Sequence, residues 1–226
     1  MTGLPPPSLT YRMEDGLRLG VLLWRFGPGW RMISSAMLGG GIGHREWVLN
    51  AQVAAGYSRM DPVEHMDALG PGGPGVGMMT AALVERYAAA ADGGAEAVAT
   101  VGLGVPTWAA TPEGVPDPGL PAEVGAARAP RPGTVNILVA VPVAFSDAAL
   151  VNAVMTVTEA KTQALLEAGF PCTGTASDAV CVAVREEGQA EAFGGPRSVW
   201  GARIARAVHQ AVLDGARDWR TWRART

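Results

Sequence analysis

The sequence predicts an α/β fold: a single layered domain with a mixed β-sheet flanked by α-helices and a β-hairpin near the N-terminus. In the second half of the chain, strand-like apolar runs alternate with helix-like segments, which is typical of α/β layers. Near the N-terminus, "GPG" separates two apolar runs as in a hairpin, so the sheet is not entirely parallel. With 226 residues and 48% apolar content, the chain is long enough for one large core. We therefore expect one domain over residues 11–226, preceded by a disordered tail of residues 1–10.

The first predicted strands lie between this tail and a glycine-rich turn. The runs "LRLGVLLWRF" (residues 17–26) and "WRMISSAML" (30–38) form the predicted hairpin. The turn "GGGIG" (39–43) follows, and glycine turns of this kind allow backbone N–H groups to approach a ligand closely. Residues 47–53, "WVLNAQV", have the pattern of a third strand.

The middle of the chain combines two loops with a helix and a strand. Residues 60–77 are rich in proline and glycine, which predicts a long loop. Residues 76–91 carry apolar side chains at helical spacing, which predicts a helix, and residues 95–103 read as a strand. Residues 104–132 contain seven prolines and little periodicity, which predicts an exposed loop or lid.

The C-terminal part supplies the most regular elements. Residues 133–143, "GTVNILVAVPV", are a nearly continuous apolar strand, and residues 177–184, "SDAVCVAV", are another. A helix is predicted from Asp147 to Glu167, with a Ser-Asp cap before it and a glycine stop after it. Residues 197–219 predict a terminal amphipathic helix.

Lys161 is the only lysine in a chain that otherwise carries seventeen arginines. At about 100° per residue it falls on the apolar stripe of its helix, where an ammonium needs a partner or must extend its stem toward solvent. It either makes a structural ion pair or lines a pocket and stabilises an anionic transition state. Glu159 is a competing catalytic candidate, because it lies about 200° around the helix and does not share a small pocket with Lys161.

The segment "TGTASD", residues 173–178, concentrates hydroxyl and carboxyl groups in a short turn before a buried strand. Its hydroxyls are suited to binding a substrate, and Asp178 is suited to pairing with an ammonium. Asp178 is therefore the leading partner for Lys161. The alternative is a Ser/Thr/Asp turn that satisfies only its own backbone.

Composition excludes several classes of function. A net charge of −3 with mixed signs gives no electrostatic footprint for nucleic acid. The sequence has no apolar run of about 18 residues and no recognisable secretory signal, so we expect a cytoplasmic protein without a membrane partner. Neither the two cysteines nor the three histidines have metal-ligand or disulfide spacing. We interpret the cysteines as buried apolar residues and favour surface roles for His44, His65 and His209.

Several motifs together resemble the adenosylcobinamide amidohydrolases, the CbiZ family of corrinoid salvage. They include "SSAMLGGG", "GVGMMTAA", "VATVGLGVP", "SDAALVNAVMTVTEAKTQAL" and "TGTASD". The chain has "CTGTASD" where the family pattern has "ATGTGTD", so Ala176 and Ser177 are conservative departures. The resemblance implies hydrolysis of the amide that joins aminopropanol to the corrin ring of adenosylcobinamide, giving adenosylcobyric acid. The cobalt then belongs to the substrate, and no separate cofactor or metal site is expected.

We expect the catalytic group to comprise Lys161 as oxyanion stabiliser or hydroxyl activator, Asp178 as the orienting carboxylate and Thr175 or Ser177 as nucleophile or substrate ligand. Glu159 is the alternative general base. Within the matching motifs we expect substrate ligands at Ser35, Gly39, Gly40, Gly41, Asn50, Thr80, Asn136, Thr173 and Ser177. The partner is a small-molecule corrinoid, and a homo-oligomer is compatible with the terminal helix. A corrinoid carrier without hydrolytic activity is the alternative function, and it predicts that Lys161, Asp178 and the threonine turn do not converge.

Overall fold

The computed structural model describes residues 3–116 and 133–225, in which ten strands form two mixed sheets. The strands are β1 (Ser8–Glu14), β2 (Leu17–Arg25), β3 (Trp30–Ser34), β4 (Gly41–His44), β5 (Trp47–Gln52), β6 (Gly75–Thr80), β7 (Ala88–Asp92), β8 (Ala95–Val101), β9 (Val135–Val141) and β10 (Ala179–Arg185). The helices are α1 (Pro62–Leu69), α2 (Asp147–Glu167) and α3 (Val199–Arg223), with a 3₁₀ turn at Val84–Arg86.

One sheet has the order β1-β2-β5-β6 and the other β4-β3-β10-β9-β8-β7. β5 pairs with β6, and β9 with β10, in parallel, while the other neighbours are antiparallel. The α/β class with mixed sheets flanked by helices is therefore confirmed. The described residues form two sheets where the sequence suggested one.

The N-terminal hairpin is confirmed, but its strands are β1 and β2. Glu14 pairs with Leu17, and both residues of the connecting turn, Asp15 and Gly16, have positive φ. An Asp-Gly turn of this kind matches the twist of antiparallel strands, whereas the "GPG" segment carries the chain from one sheet to the other. Because β1 begins at Ser8, the last three residues of the predicted tail are in a strand.

The predictions for residues 60–91 were wrong in two places. Residues 62–69 form α1, which starts at a proline in the first helical turn. Residues 76–91, predicted as a helix, instead form β6, the 3₁₀ turn and β7. The backbone N–H and C=O groups of β6 pair with β5, and those of β7 pair with β8. Such tertiary pairing overrides local helix propensity.

The core lies on both faces of the six-stranded sheet. On β9, side chains such as Ile137 and Val139 pack against α2 and α3, while Leu138 and Ala140 pack toward the four-stranded sheet. This alternation follows the two-residue period of a strand. Burial on both faces explains why β9 and β10 are almost entirely apolar, as the sequence indicated.

The two long helices have the predicted positions. Ser146 caps α2 by accepting a hydrogen bond from the backbone N–H of Ala149, at 3.2 Å. Ser198 caps α3 in the same way through Gly201, at 3.1 Å. Within the described ranges, no helix is both long enough and apolar enough to cross a membrane.

The predicted lid is described as far as residue 116. Thr107 forms an isolated bridge with Gly174, which attaches the start of this segment to the turn before β10. The remainder of the predicted lid, residues 117–132, lies outside the described residues.

Candidate functional site

Lys161 and Asp178 form a buried ion pair. Lys161 Nζ lies 2.5 Å from Asp178 Oδ2, and the two side chains are 9% and 11% exposed. Asp178 Oδ1 also accepts hydrogen bonds from the Thr175 hydroxyl at 2.5 Å and from the Val135 backbone N–H at 2.9 Å. The Thr175 backbone N–H donates to Oδ2 at 3.2 Å. The predicted pairing is confirmed, and four donors surround one carboxylate.

The fold places this group at the end of the six-stranded sheet where the central strands β9 and β10 begin. Asp178 directly precedes β10, and Val135 is the first residue of the parallel strand β9. The buried face of α2 covers the same end and brings Lys161 to it. The three catalytic candidates therefore converge because two neighbouring strands begin side by side beneath one helix.

Gly174 allows the close approach of this turn to the ion pair. A Cβ atom at this position would lie 2.1 Å from Asp178 Oδ2 and 2.5 Å from Lys161 Nζ. Both distances are far below normal van der Waals contact. Glycine is therefore required here by the space that the ion pair occupies.

A cavity of about 540 Å³ opens beside Asp178. Its polar lining residues include four of the predicted site residues and two others: Ser35, Thr80, Ser177, Asp178, Tyr57 and Thr134. Ser177 Oγ and Thr134 Oγ1 are 2.9 Å apart and share a hydrogen bond. Lys161 and Thr175 are not among the described residues that line this cavity; both contact Asp178, and Thr175 is half-buried whereas Lys161 is buried.

A second cavity of about 480 Å³ adjoins the first. The two share the wall formed by residues 53–55 and Ala81. The second cavity contains the indole rings of Trp219 and Trp222 and the backbones of Gly102, Gly104 and Gly133. Together the cavities form an extended face with apolar, aromatic and backbone polar groups, as large organic ligands require.

Asn50 and Asn136 lie beneath the cavity, where they link the two sheets. The side-chain amide of Asn136 donates to Asn50 Oδ1 at 3.0 Å and to the Met79 carbonyl at 2.8 Å, and its oxygen accepts from the Ala179 N–H at 3.2 Å. Asn50 donates to Thr100 Oγ1 at 2.9 Å. Both asparagines are at most 2% exposed. The structure thus places these two predicted substrate ligands as supports for the strand that follows Asp178.

The glycine turn and Thr173 also have structural contacts. A Cβ atom at Gly39 would lie 1.9 Å from the Gly75 carbonyl oxygen, and Gly40 and Gly41 continue the same tight turn into β4. Thr173 accepts a hydrogen bond from the Ala109 N–H at 2.8 Å, which anchors the described part of the predicted lid.

Glu159 is not brought to the Asp178 cavity. It is exposed and lines a separate open groove between α2 and α3, together with Arg206 and His209. The helix geometry therefore separates Glu159 from Lys161 as the sequence indicated. His209 makes an exposed contact of 2.9 Å with Glu167.

Sequence reasoning missed a polar cluster that borders the cavity. His65, interpreted as a surface residue on a loop, is only 7% exposed and lies on α1. Its Nδ1 atom is 3.0 Å from the hydroxyl of Tyr57, a lining residue of the cavity. The Asp-Pro pair before α1 is a helix-start signal that could have identified this helix.

The cysteines are buried free thiols, as the sequence indicated. Burial raises the pKa of Cys172 to about 11 and that of Cys181 to about 12, and a thiol in this state is a poor nucleophile at neutral pH. Across residues 3–116 and 133–225, no three His, Cys, Asp or Glu side chains are grouped as metal ligands.

The family model for adenosylcobinamide amidohydrolase matches residues 7–224, which include the ion pair and both cavities. The chain belongs to this family. A curated adenosylcobinamide amidohydrolase of Halobacterium salinarum is 39% identical over 171 residues, covering 74% of this chain and 64% of that protein. Another, of Methanosarcina mazei, is 34% identical over 94 residues, covering 38% of this chain and 47% of that protein. The chain thus spans slightly less than two thirds of the Halobacterium adenosylcobinamide amidohydrolase and about half of the Methanosarcina one.

Proposed function

We propose that this protein hydrolyses the amide that joins aminopropanol to the corrin ring of adenosylcobinamide, releasing aminopropanol and adenosylcobyric acid for corrinoid salvage. The observation that carries this proposal is the convergence of Lys161 and Thr175 on Asp178, a carboxylate that lines a cavity, in a chain of this family. A carrier requires a cavity, but it does not require a carboxylate that accepts a hydrogen bond from a hydroxyl group beside that cavity.

Thr175, which is half-buried beside the cavity-lining Asp178, is the proposed nucleophile. Its hydroxyl donates a 2.5 Å hydrogen bond to Asp178 Oδ1, so the carboxylate is placed to take the proton as the oxygen attacks the amide carbonyl. The C–N bond then breaks with release of aminopropanol, and the cobyric acyl group remains on Thr175 as an ester. Attack of water on this ester releases adenosylcobyric acid and regenerates the hydroxyl.

Lys161 acts on this step through Asp178. Its ammonium is buried behind the carboxylate and contacts Oδ2, the oxygen that does not accept the Thr175 hydroxyl. The ion pair fixes the orientation of the carboxylate. We therefore propose Lys161 as a positioning residue.

The Ser177 and Thr134 hydroxyls provide a donor for the tetrahedral oxyanion. Each hydroxyl has one hydrogen, and only one is used in the 2.9 Å bond between them. When Thr134 donates to Ser177, the Ser177 hydrogen is available to a ligand in the cavity. Preorganised donors of this kind stabilise the charge that develops on the carbonyl oxygen.

The two adjoining cavities offer space for a substrate much larger than its reacting amide. A corrin ring carries peripheral amides, and the glycine backbones of the second cavity provide polar groups that can approach them closely. We propose that the cobalt enters and leaves as part of the substrate and that the reaction uses no other metal or cofactor. The mixed charge of the chain supports a small-molecule partner rather than nucleic acid, and we propose that the protein acts in the cytoplasm.

Incubation with adenosylcobinamide, followed by mass spectrometry of both products, tests the function. We expect wild-type protein to release aminopropanol and adenosylcobyric acid and Asp178→Asn to lose about a hundred-fold in rate or more. Asp92→Asn is the matched control, because Asp92 pairs with exposed Arg206 on the surface. Tight binding of adenosylcobinamide without release of either product would establish the carrier function instead.

Trapping with hydroxylamine tests the acyl-enzyme. We expect the cobyric hydroxamate from wild-type protein and none from Thr175→Val, which should also lose turnover. A Thr175→Val protein that retains most of its activity would show that Asp178 activates water directly.

A further inference from the structure

A chain of three polar side chains leads from the cavity into the four-stranded side of the fold. Tyr57 lines the same cavity as Asp178, and its hydroxyl is 3.0 Å from His65 Nδ1. His65 Nε2 lies 3.4 Å from Glu14 Oε2. The His65 side chain is 8% exposed and the Glu14 side chain 20%.

Three separate elements hold these groups in place. The backbone N–H of Tyr57 donates to the Ala54 carbonyl at 3.0 Å, and its ring stacks on the imidazole with centroids 5.7 Å apart. His65 is in the first turns of α1, and Glu14 ends β1. Arg12 contacts Glu14 Oε2 at 2.8 Å and also donates to the Gln52 carbonyl at 2.8 Å.

The charged groups around His65 come from each neighbouring element. Glu14 and its partner Arg12 approach from β1. Asp61, whose carbonyl accepts the His65 backbone N–H at 3.0 Å, precedes α1 and is paired with exposed Arg59. Within this set, the Glu14 carboxylate is the group in contact with the imidazole, at 3.4 Å.

Burial of such a chain is costly unless its members are hydrogen-bonded, and it is unnecessary for packing, since apolar residues would fill the same space. Desolvation also raises the pKa of Tyr57, so its hydroxyl keeps its proton at neutral pH. The cluster therefore has the parts of an acid: a hydroxyl on a cavity-lining residue, an imidazole in contact with it and a carboxylate in contact with the imidazole.

We propose that Tyr57, His65 and Glu14 form a proton relay that protonates the departing amine. The proposal rests on the function proposed above. An alkylamine is a poor leaving group unless its nitrogen is protonated as the C–N bond breaks. The Asp178 oxygens are occupied by four donors, so a second group on the cavity lining supplies this proton.

When His65 is charged, the Tyr57 hydroxyl gives its proton to the amine nitrogen, which takes the electron pair of the breaking C–N bond. His65 Nδ1–H then returns a proton to the Tyr57 oxygen, leaving a neutral imidazole whose Nε2–H still faces Glu14. The products are the free amine and the Thr175 ester.

Hydrolysis of the ester restores the relay. The attacking water gives a proton to the Tyr57 oxygen, whose own proton moves to His65 Nδ1 and regenerates the imidazolium. Asp178 returns the first proton to the Thr175 oxygen. One relay thus serves as acid in the first half of the reaction and as base in the second.

Two substrates with different leaving groups test the relay. Adenosylcobinamide releases an alkylamine, whereas the p-nitrophenyl ester of adenosylcobyric acid releases p-nitrophenolate, which departs without protonation. Under single-turnover conditions, we expect Tyr57→Phe and His65→Gln to slow acylation by adenosylcobinamide about a hundred-fold and acylation by the ester less than about three-fold. Tyr87→Phe is the matched control, since exposed Tyr87 lies outside this cavity.

Each outcome distinguishes the relay from the function on which it rests. Equal losses on both substrates would mean that the cluster has only a structural role, and full activity of Tyr57→Phe on adenosylcobinamide would overturn the relay directly. Absence of wild-type turnover with adenosylcobinamide would overturn the proposed function and the relay with it. Urea unfolding of each variant identifies any that fail to fold. If His65→Gln does not fold, the activity of Tyr57→Phe, which removes a single oxygen atom, tests the relay.

Discussion

Replacing Lys161 by methionine should destabilise the protein by leaving a buried carboxylate without its counter-ion. Lys161 and Asp178 are 9% and 11% exposed, so solvent cannot compensate for the missing charge. Removing one partner of a buried pair typically costs about 3–5 kcal/mol. Because three other donors to Asp178 remain, we expect the lower end, about 3 kcal/mol.

Urea unfolding at neutral pH measures this cost. A loss of about 3 kcal/mol moves the midpoint by about 1 M when the denaturant slope is about 3 kcal/mol/M. The double variant Lys161→Met, Asp178→Asn removes both charges, and we expect it to be more stable than the sum of the single changes predicts by about 1–3 kcal/mol. Arg206→Met, which breaks an exposed pair with Asp92, should leave the midpoint unchanged.

Arginine at position 161 separates the effect of charge from the effect of shape. It keeps the positive charge, but the planar guanidinium is larger than an ammonium and must fit where Gly174 closes over the ion pair. We expect Lys161→Arg to remain destabilised by about 1–3 kcal/mol. The reasoning is refuted if Lys161→Met costs less than about 0.5 kcal/mol, which is the range of ordinary surface substitutions, or if the double variant shows only additive losses.

Three further changes probe the turn, the cavity and the thiols. Gly174→Ala places a Cβ atom 2.1 Å from Asp178 Oδ2, so the turn must shift. We expect a turnover loss of about a hundred-fold, and a wild-type kcat would contradict the close approach. Ala81→Trp adds a large side chain to the wall that the two cavities share. It should raise KM for adenosylcobinamide at least about ten-fold with little change in the unfolding midpoint, and an unchanged KM would place the substrate elsewhere. Burial raises the pKa of Cys172 to about 11 and that of Cys181 to about 12, so the folded state retains thiol protons that the unfolded state loses, and stability should fall as the pH rises from about 9 to 11. Iodoacetamide at pH 8 should label both thiols only after unfolding, and rapid labelling of the native protein would contradict their burial.

The elements that the sequence predicted well are those whose signals are local. α2 has a serine cap, an uninterrupted helical stretch and a glycine stop within about two dozen residues, and each signal acts on its neighbours in the chain. The Lys161–Asp178 pairing was accessible for the same reason, because the two residues are only 17 positions apart and the helix face could be read from its periodicity.

The remaining features depend on contacts that are distant in the sequence. Residues 88–91 are four alanines, which favour a helix by propensity, yet they form β7 because β8 offers an edge to pair with. The hairpin partner of β2 is an exception, because the Asp15-Gly16 turn is a local signal that joins β2 to β1 rather than to the apolar run that follows it. The burial of His65 was missed because it depends on α1 packing beside β1, which nothing local to the histidine specifies.

The proposed reaction depends on how the two sheets pack against each other. Asp178 and Thr175 lie just before β10 of the six-stranded sheet. In the other sheet, Glu14 lies on β1 and Tyr57 lies in the loop after β5. The buried link from Asn136 on β9 to Asn50 on β5 fixes the distance between these two groups. Since amides at this depth must keep their hydrogen bonds, a shift of one sheet against the other would leave them unsatisfied. The same link that stabilises the fold therefore sets the separation between the proposed nucleophile and the proposed acid.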